Sequence, residues 1–336
     1  MLILSNCLTD TPDEGSLKVA CTLASHIKAE APETTVVSYE RRSGLTDIHL
    51  DLNKLLLSHK LWKLLWKKQE PVLYLPFPTR SLPMAARVFL LSRVCPGNLG
   101  VVLSMPRECG LVSRFLLKHS RARLFLLSQS AAEEFARIIG KDRAVYLKTG
   151  VDTKRFQPVS PARAAELKEK YGLAPDRMVL LHVGHLKEGR NLSRLTEIDA
   201  DIQMLLVVST STQEDAALRK TLEDCPNIKI RNQYFPNIEE LHQLSDVYFF
   251  PVTEEYNCID IPLSCLEAAA CGLSVVTTPY GEMAQFRGKP GFFFLETEEL
   301  NGLLRRALAQ PDGVARKAVL EYDWANAARK LKEYLE

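Results

Sequence analysis

Glu267 lies within Leu263-Ser-Cys-Leu-Glu-Ala-Ala-Ala-Cys271, a run that reads as a helix and stops at Gly272. The run follows a short apolar strand, Val247 to Phe250, closed by Pro251, and leads into a second buried strand, Val275 to Thr278. Pro262 suits a first helical turn, where its missing N–H costs nothing, and Ser264 can satisfy nearby free donors. A helix that starts beyond the carboxyl end of a parallel strand is an anion site, because its free N–H groups and its dipole point there. Glu267, one turn in, projects a carboxylate toward the same mouth. A solvated glutamate on an ordinary α/β unit would give the same pattern over this stretch alone.

The elements that must position this stretch repeat along the chain. Leu2 to Asn6 is a buried strand, the loop to Gly15 is polar, Ser16 caps a helix, and Thr35 to Tyr39 is the next strand. Val72 to Leu75, Val101 to Ser104 and Arg123 to Leu127 are further strands, followed by helical segments at Leu82 to Val94, Gly110 to Lys118 and Ala131 to Ile139. A second series begins at Met178 to Val183 and continues through Met204 to Ser209 and Ile228 to Arg231. Unbroken apolar strands alternating with helices predict an α/β class with parallel sheets, whose ligands lie at the strands' carboxyl ends. No G-x-G-x-x-G is present, which disfavours a dinucleotide enzyme.

At 336 residues, two domains of about 150 residues each are expected. A hydrophobic content of 46% and a net charge of +2 describe an ordinary globular chain and give no case for bulk nucleic-acid binding. The eight cysteines show no C-x-x-C pairing, which predicts reduced cytosolic thiols and neither a disulfide frame nor a metal site. No run reaches transmembrane length and Met1 to Cys7 is too short for a signal core, so a cytoplasmic or peripheral location is expected. The segment 51–68 reads as a helix with Lys60, Lys63 and Lys67 on one face and Trp62 and Trp66 among its apolar residues. Two readings stand: a helix packed on the first sheet, or a basic amphipathic helix docked on anionic membrane.

Pro262-Leu-Ser-x-Leu-Glu267-Ala-x-Ala-Cys-Gly272, followed by Val-Val-Thr, resembles the signature of family 4 glycosyltransferases of the GT-B fold. Thr149-Gly-Val-Asp152, Arg155-Phe156 and Pro158 resemble the segment where that family's chain crosses between domains. The resemblance implies two Rossmann-like domains facing across a cleft, residues 1–149 on the acceptor side and 150–320 binding the nucleotide sugar. A closing helix within 321–336 crosses back to the first domain.

The family's Gly-Arg-Leu-x-x-x-Lys-Gly, whose two bases hold the donor's pyrophosphate, is here Gly184-His185-Leu-Lys187-Glu-Gly-Arg190. Arg190 stands in the Lys position, and a planar guanidinium grips phosphate oxygens bidentately. His185 stands in the Arg position; a bound diphosphate can make it cationic, and Lys187 can substitute. The resemblance also assigns Gly15 to the diphosphate loop, the backbone at Tyr234 and Phe235 to the base, and Leu263 and Ser264 to the donor. In the family's Glu-x₇-Glu, Glu267 is the carboxylate that meets the ribose. The first glutamate's position is Ile259, and the adjacent acid is Asp260. The fourth strand's end, Ser104-Met-Pro-Arg107-Glu108-Cys109, lacks the family's histidine, leaving Arg107 and Glu108 as acceptor-side residues or an exposed ion pair.

The implied activity is a retaining, metal-independent hexosyl transfer by front-face attack, with no cofactor besides a UDP- or GDP-type sugar as co-substrate. The acceptor would be a glycan or lipid-linked precursor of cell-surface polysaccharide or glycolipid. A non-catalytic nucleotide-sugar-binding partner and an epimerase or hydrolase on the same fold are the competing readings.

Overall fold

The computed structural model describes residues 1–336 apart from Lys54, Pro78, Pro106, Ser211, Thr212 and Thr297. The chain divides into two compact units, Met1–Thr149 with Cys258–Asp260 and Trp324–Glu336, and Gly150–Asn257 with Ile261–Asp323.

The first unit is built on strands β1 (Leu2–Ser5), β2 (Thr35–Ser38), β3 (Ile48–His49), β4 (Val72–Leu75), β5 (Leu99–Leu103), β6 (Arg123–Leu126) and β7 (Ala144–Tyr146). All pair in parallel in the order β3-β2-β1-β4-β5-β6-β7. Helices α1 (Gly15–Glu30), α2 (His59–Lys68), α3 (Leu82–Val94), α4 (Leu111–His119) and α5 (Gln129–Ile139) connect them. Steps from β1 to β3 run one way across the sheet and those from β3 to β7 the other, so right-handed crossovers put α1 on one face and α2 to α5 on the opposite face. Leu61 and Leu65 of α2, Val88 of α3, Leu117 of α4 and Phe135 of α5 accordingly share one core with Leu4, Tyr74, Val101 and Leu126.

The helix expected over 51–68 is shorter. Asn53 Oδ1 accepts from the amides of Leu55 and Leu57, and its Nδ2 donates to Leu57 O, so these groups bond the Asn53 side chain ahead of the helix. Ser58 then caps α2 by accepting from Leu61 N at 3.5 Å. Lys54 lies outside the described residues, as does Pro106 in the 104–109 stretch. The helix α1 starts at Gly15 with Glu14 as its N-cap, so Ser16 is a buried helical residue and does not cap.

The second unit carries β8 (Val179–Gly184), β9 (Gln203–Val208), β10 (Ile228–Asn232), β11 (Val247–Phe250), β12 (Ser274–Thr277) and β13 (Phe292–Phe294), parallel in the order β10-β9-β8-β11-β12-β13. Its helices are α6 (Pro161–Lys170), α7 (Ala216–Glu223), α8 (Ile238–Gln243), α9 (Leu263–Ala270), α10 (Leu300–Leu308) and α11 (Arg316–Val319). The short β3, β13 and α11 carry too few periodic residues to be read from sequence.

The chain ends in α12 (Trp324–Leu335), grouped with the first unit and packed on α1 and β5. The reason is a slot in β5: a Cβ on Gly100 would lie 2.8 Å from Leu335 Cδ2 and 2.9 Å from Phe125 Cε2. Leu335 fills that slot and is fully buried. Gly100→Val should therefore lower unfolding free energy by about 2 kcal/mol through overpacking, read from urea denaturation against wild type.

Candidate functional site

The order of the second sheet reverses between β8 and β11, and there the backbone pairing is thin. Six residue pairs join β8 to β9, but two join β8 to β11, Leu180 with Val247 and Leu181 with Tyr248. Beyond them side chains take over the backbone groups. His182 Nδ1 lies 2.8 Å from Phe249 O, and Tyr248 Oη accepts from Val183 N at 3.4 Å and donates to Val183 O at 3.3 Å. The hydroxyl of Ser264 also bonds Tyr248, so Ser264 ties α9 to the strand and caps nothing. Diverging strands at a reversal of sheet order open a crevice at their carboxyl ends, where α/β proteins hold ligands.

Arg190 enters that crevice. The loop after β8 turns through Gly189 at φ 79° and Asn191 at φ 55°, and Asn191 Nδ2 holds Pro251 O at 3.2 Å. This brings Arg190 back over its own strand: a Cβ on Gly184 would lie 3.4 Å from Arg190 Nη1 and 3.0 Å from His182 Nε2. Gly184 is thus the gap that admits the guanidinium. Arg190 is only 5% exposed, and among the described residues no carboxylate pairs with it.

Its neighbour gives no counter-charge. Burial holds His182 down at about 4 despite the Phe249 carbonyl, and the fields of Arg190 and His185 lower it further. With Nδ1–H directed at Phe249 O, the neutral ring keeps its lone pair on Nε2, which is buried without a hydrogen-bond partner among the described residues. His185 is half-buried on the loop and Lys187 is exposed. Glu267 is buried within α9, and the first amides of that helix, at Leu263 and Ser264, lie where intrahelical acceptors run out. Tyr234 and Phe235 follow β10 and are half-buried, with the Phe235 ring edge-on to Tyr171 at 6.1 Å.

The sequence places Asp260 with these residues, whereas the structure groups it with the first unit. Gly15 faces Ile259, whose Cδ1 would lie 3.1 Å from an added Cβ. Asp260 Oδ2 is 4.0 Å from Arg80 Nη2. Burial pushes the Asp260 carboxyl above the usual range, against the pull of Arg80 and a hydrogen bond from Ser128. Arg80, at φ 56°, donates to Arg107 O and lies over the Phe135 ring, while its Nε and Nη2 have no hydrogen-bond partner among the described residues. Arg107 and Glu108 are exposed. Sequence reading missed Arg80, His182 and Tyr248. For Arg80 the available signal was its place just beyond β4, where the first sheet's order reverses beside β1.

Residues 177–310, most of the second unit, match the family model described as glycosyl transferases group 1. That segment carries the resemblance drawn from its motifs. No curated protein matches the chain. Among solved structures, Anabaena Alr3699/HepE in complex with UDP and glucose matches at TM-score 0.77 and 14% identity, covering 99% of this chain and 98% of that one. A glycosyltransferase from Rickettsia africae ESF-5 matches at 0.76 and 15%, covering 99% and 97%. WaaG, a glycosyltransferase involved in lipopolysaccharide biosynthesis, matches at 0.64 and 18%, covering 99% and 95%. At these identities the likeness establishes the fold, two parallel-sheet Rossmann-like domains of the GT-B type.

Proposed function

We propose that the protein is a retaining glycosyltransferase that moves a hexosyl group from a UDP- or GDP-type sugar to a glycan or lipid-linked acceptor of cell-surface polysaccharide or glycolipid synthesis. The observation that carries this is the buried guanidinium of Arg190 over Gly184, which no carboxylate pairs among the described residues, inside the segment that matches the transferase family. A buried cation without a counter-charge costs free energy that a bound anion repays. The structures of the Anabaena protein with UDP and with UDP-glucose make uridine the first nucleotide to try.

Transfer loosens the glycosidic bond and builds charge on the departing diphosphate. Preorganised donors in a water-poor site stabilise that charge best. On this reading Arg190 and the α9 amides at Leu263 and Ser264 meet it directly, while His185 takes up a proton beside the diphosphate and Lys187 closes from the loop. Glu267 accepts hydrogen bonds from the ribose hydroxyls. The backbone at Tyr234 and Phe235 completes the donor contacts. The departing phosphate oxygen takes the acceptor's proton during front-face attack, so the reaction calls on no side-chain base, metal or further cofactor.

A second reading, a nucleotide-sugar-binding partner without turnover, is favoured by one observation. Ile259 fills the position of the family's first glutamate and is buried, and Asp260 is engaged with Arg80.

Calorimetric titration with UDP, GDP, ADP and TDP tests the site. One diphosphate should bind at micromolar strength, and Glu267→Ala should weaken it by about 1 kcal/mol, the worth of one ribose hydrogen bond. Binding of none, or equal binding by the variant, would remove the site assignment. Binding with no sugar transfer across a panel of acceptors would favour the partner reading.

A further inference from the structure

The charge of this chain is unevenly laid out. Residues 52–132 carry thirteen Lys and Arg against two acids, Glu70 and Glu108; with the whole chain at +2, the remainder is net −9. That basic span includes α2, α3 and α4, adjacent helices on one face of the first sheet, and none of the three contains an acidic residue. Lys60, Lys63 and Lys67 on α2 and Lys118 on α4 form no ion pair among the described residues, whereas Arg114 is paired with Glu134 at 3.3 Å.

The same layer turns apolar side chains outward. Of twelve exposed large hydrophobic residues in the described chain, eight lie between Leu55 and Phe115. The helix α4 is inverted: Leu111 is 85% exposed and Val112 and Phe115 are each 60% exposed, while Ser113 on the same helix is buried. Leu82 opens α3, and Leu55 and Leu57 are exposed in the loop entering α2. Each of these helices departs from the carboxyl end of a strand, so Leu55, Leu57, Leu82, Leu111 and Val112 gather along one rim of the sheet. Trp62 and Trp66 stand beside them on α2, with Leu61 and Leu65 buried beneath.

We propose that this rim and the basic layer behind it dock on an anionic lipid bilayer. Apolar side chains ringed by lysines, with tryptophans at the boundary, match the headgroup and upper acyl region of such a membrane. The unbalanced positive charge selects a negative surface, at roughly fivefold per lysine near it. The inference deepens the transferase reading, on which delivery of a lipid-linked acceptor depends. The rim lies at the end of the sheet where α/β units work, so an acceptor headgroup would arrive there while its tail stays in lipid.

Sedimentation with vesicles tests this without any nucleotide. The chain should sediment with phosphatidylcholine vesicles containing about 30 mol% phosphatidylglycerol, not with phosphatidylcholine alone, and binding should weaken as salt is raised. Lys60→Ala/Lys63→Ala/Lys67→Ala should bind roughly a hundredfold more weakly at low salt. Leu111→Ser/Val112→Ser/Phe115→Ser should bind at least about tenfold more weakly at low and high salt, with its melting temperature and diphosphate binding kept. Failure to sediment, or a rim variant that sediments like wild type, would overturn the inference. So would a concentration-dependent dimer that the rim variant dissolves, since a second copy would then cover the face. Vesicle binding together with failure to bind any diphosphate would instead remove the transferase reading and leave the docking surface standing.

Discussion

Arg190→Met should weaken binding of the preferred nucleoside diphosphate by about 3 kcal/mol, roughly a hundredfold in Kd, because a bidentate, charge-assisted grip is lost in a buried setting. Turnover should fall at least as far, since the same contact strengthens as the diphosphate departs. The unliganded protein should lose little stability. Methionine keeps an aliphatic stem, and the guanidinium it removes from beside Gly184 has no carboxylate partner among the described residues. That opposition separates a binding role from a structural one. A guanidinium that served the fold would show the reverse, with a melting temperature that drops and an affinity that holds. Calorimetry and thermal unfolding on the same preparations read both, and an unchanged Kd would sink the assignment.

Acidification should expose His182. Its folded-state value is about 4 against an ordinary 6.5, set first by burial. Between those values the unfolded chain binds a proton that the folded chain refuses, so unfolding takes up protons and stability rises with pH across the window. The contribution is complete above 6.5 and is lost as pH falls toward 4, at a cost of about 3 kcal/mol. His182→Asn keeps a donor for the Phe249 carbonyl but cannot titrate. Urea unfolding of both proteins at pH 7 and pH 4 should show wild type losing about 3 kcal/mol more than the variant. Parallel loss in the two would mean that His182 is not the group being charged. Because His182 sits under Arg190, acid should also disorder the crevice before the sheet as a whole, and ligand affinity should fall earlier than far-ultraviolet ellipticity.

The parts of this molecule that were legible in the sequence are those governed by local rules. Central parallel strands such as Val247 to Phe250 are buried on both faces, so their apolar runs announce themselves. Helix α9 and its neighbours stood out through Pro262, Gly272 and the family resemblance, and the fold followed from the alternation. What escaped depends on distant partners. Nothing in Val-Leu-Leu-His-Val says that His182 will reach across to Phe249, or that Tyr248 will bond both Val183 and Ser264. The pairing of Asp260 with Arg80 spans 180 positions of sequence and engages an acid that the family resemblance had offered for the donor's sugar. The long helix expected from 51 failed for a local reason that sequence did contain. The Asn53 side chain can bond the backbone of Leu55 and Leu57 in competition with a helix, and that competition was outweighed in reading by the lysine and leucine content.

The two rungs that join β8 to β11 have a mechanical consequence. The second sheet divides there along a seam into two leaves, β10-β9-β8 and β11-β12-β13, joined by fewer paired residues than any other neighbouring strands in that sheet. Arg190 belongs to one leaf and α9 to the other. A diphosphate held by both would act as a staple across the seam, and its binding should slow amide hydrogen exchange at Val183 and Gly184 while leaving β9 unchanged. The donor would then be a structural member of the domain for as long as it stays bound, and its departure would loosen the sheet from the inside.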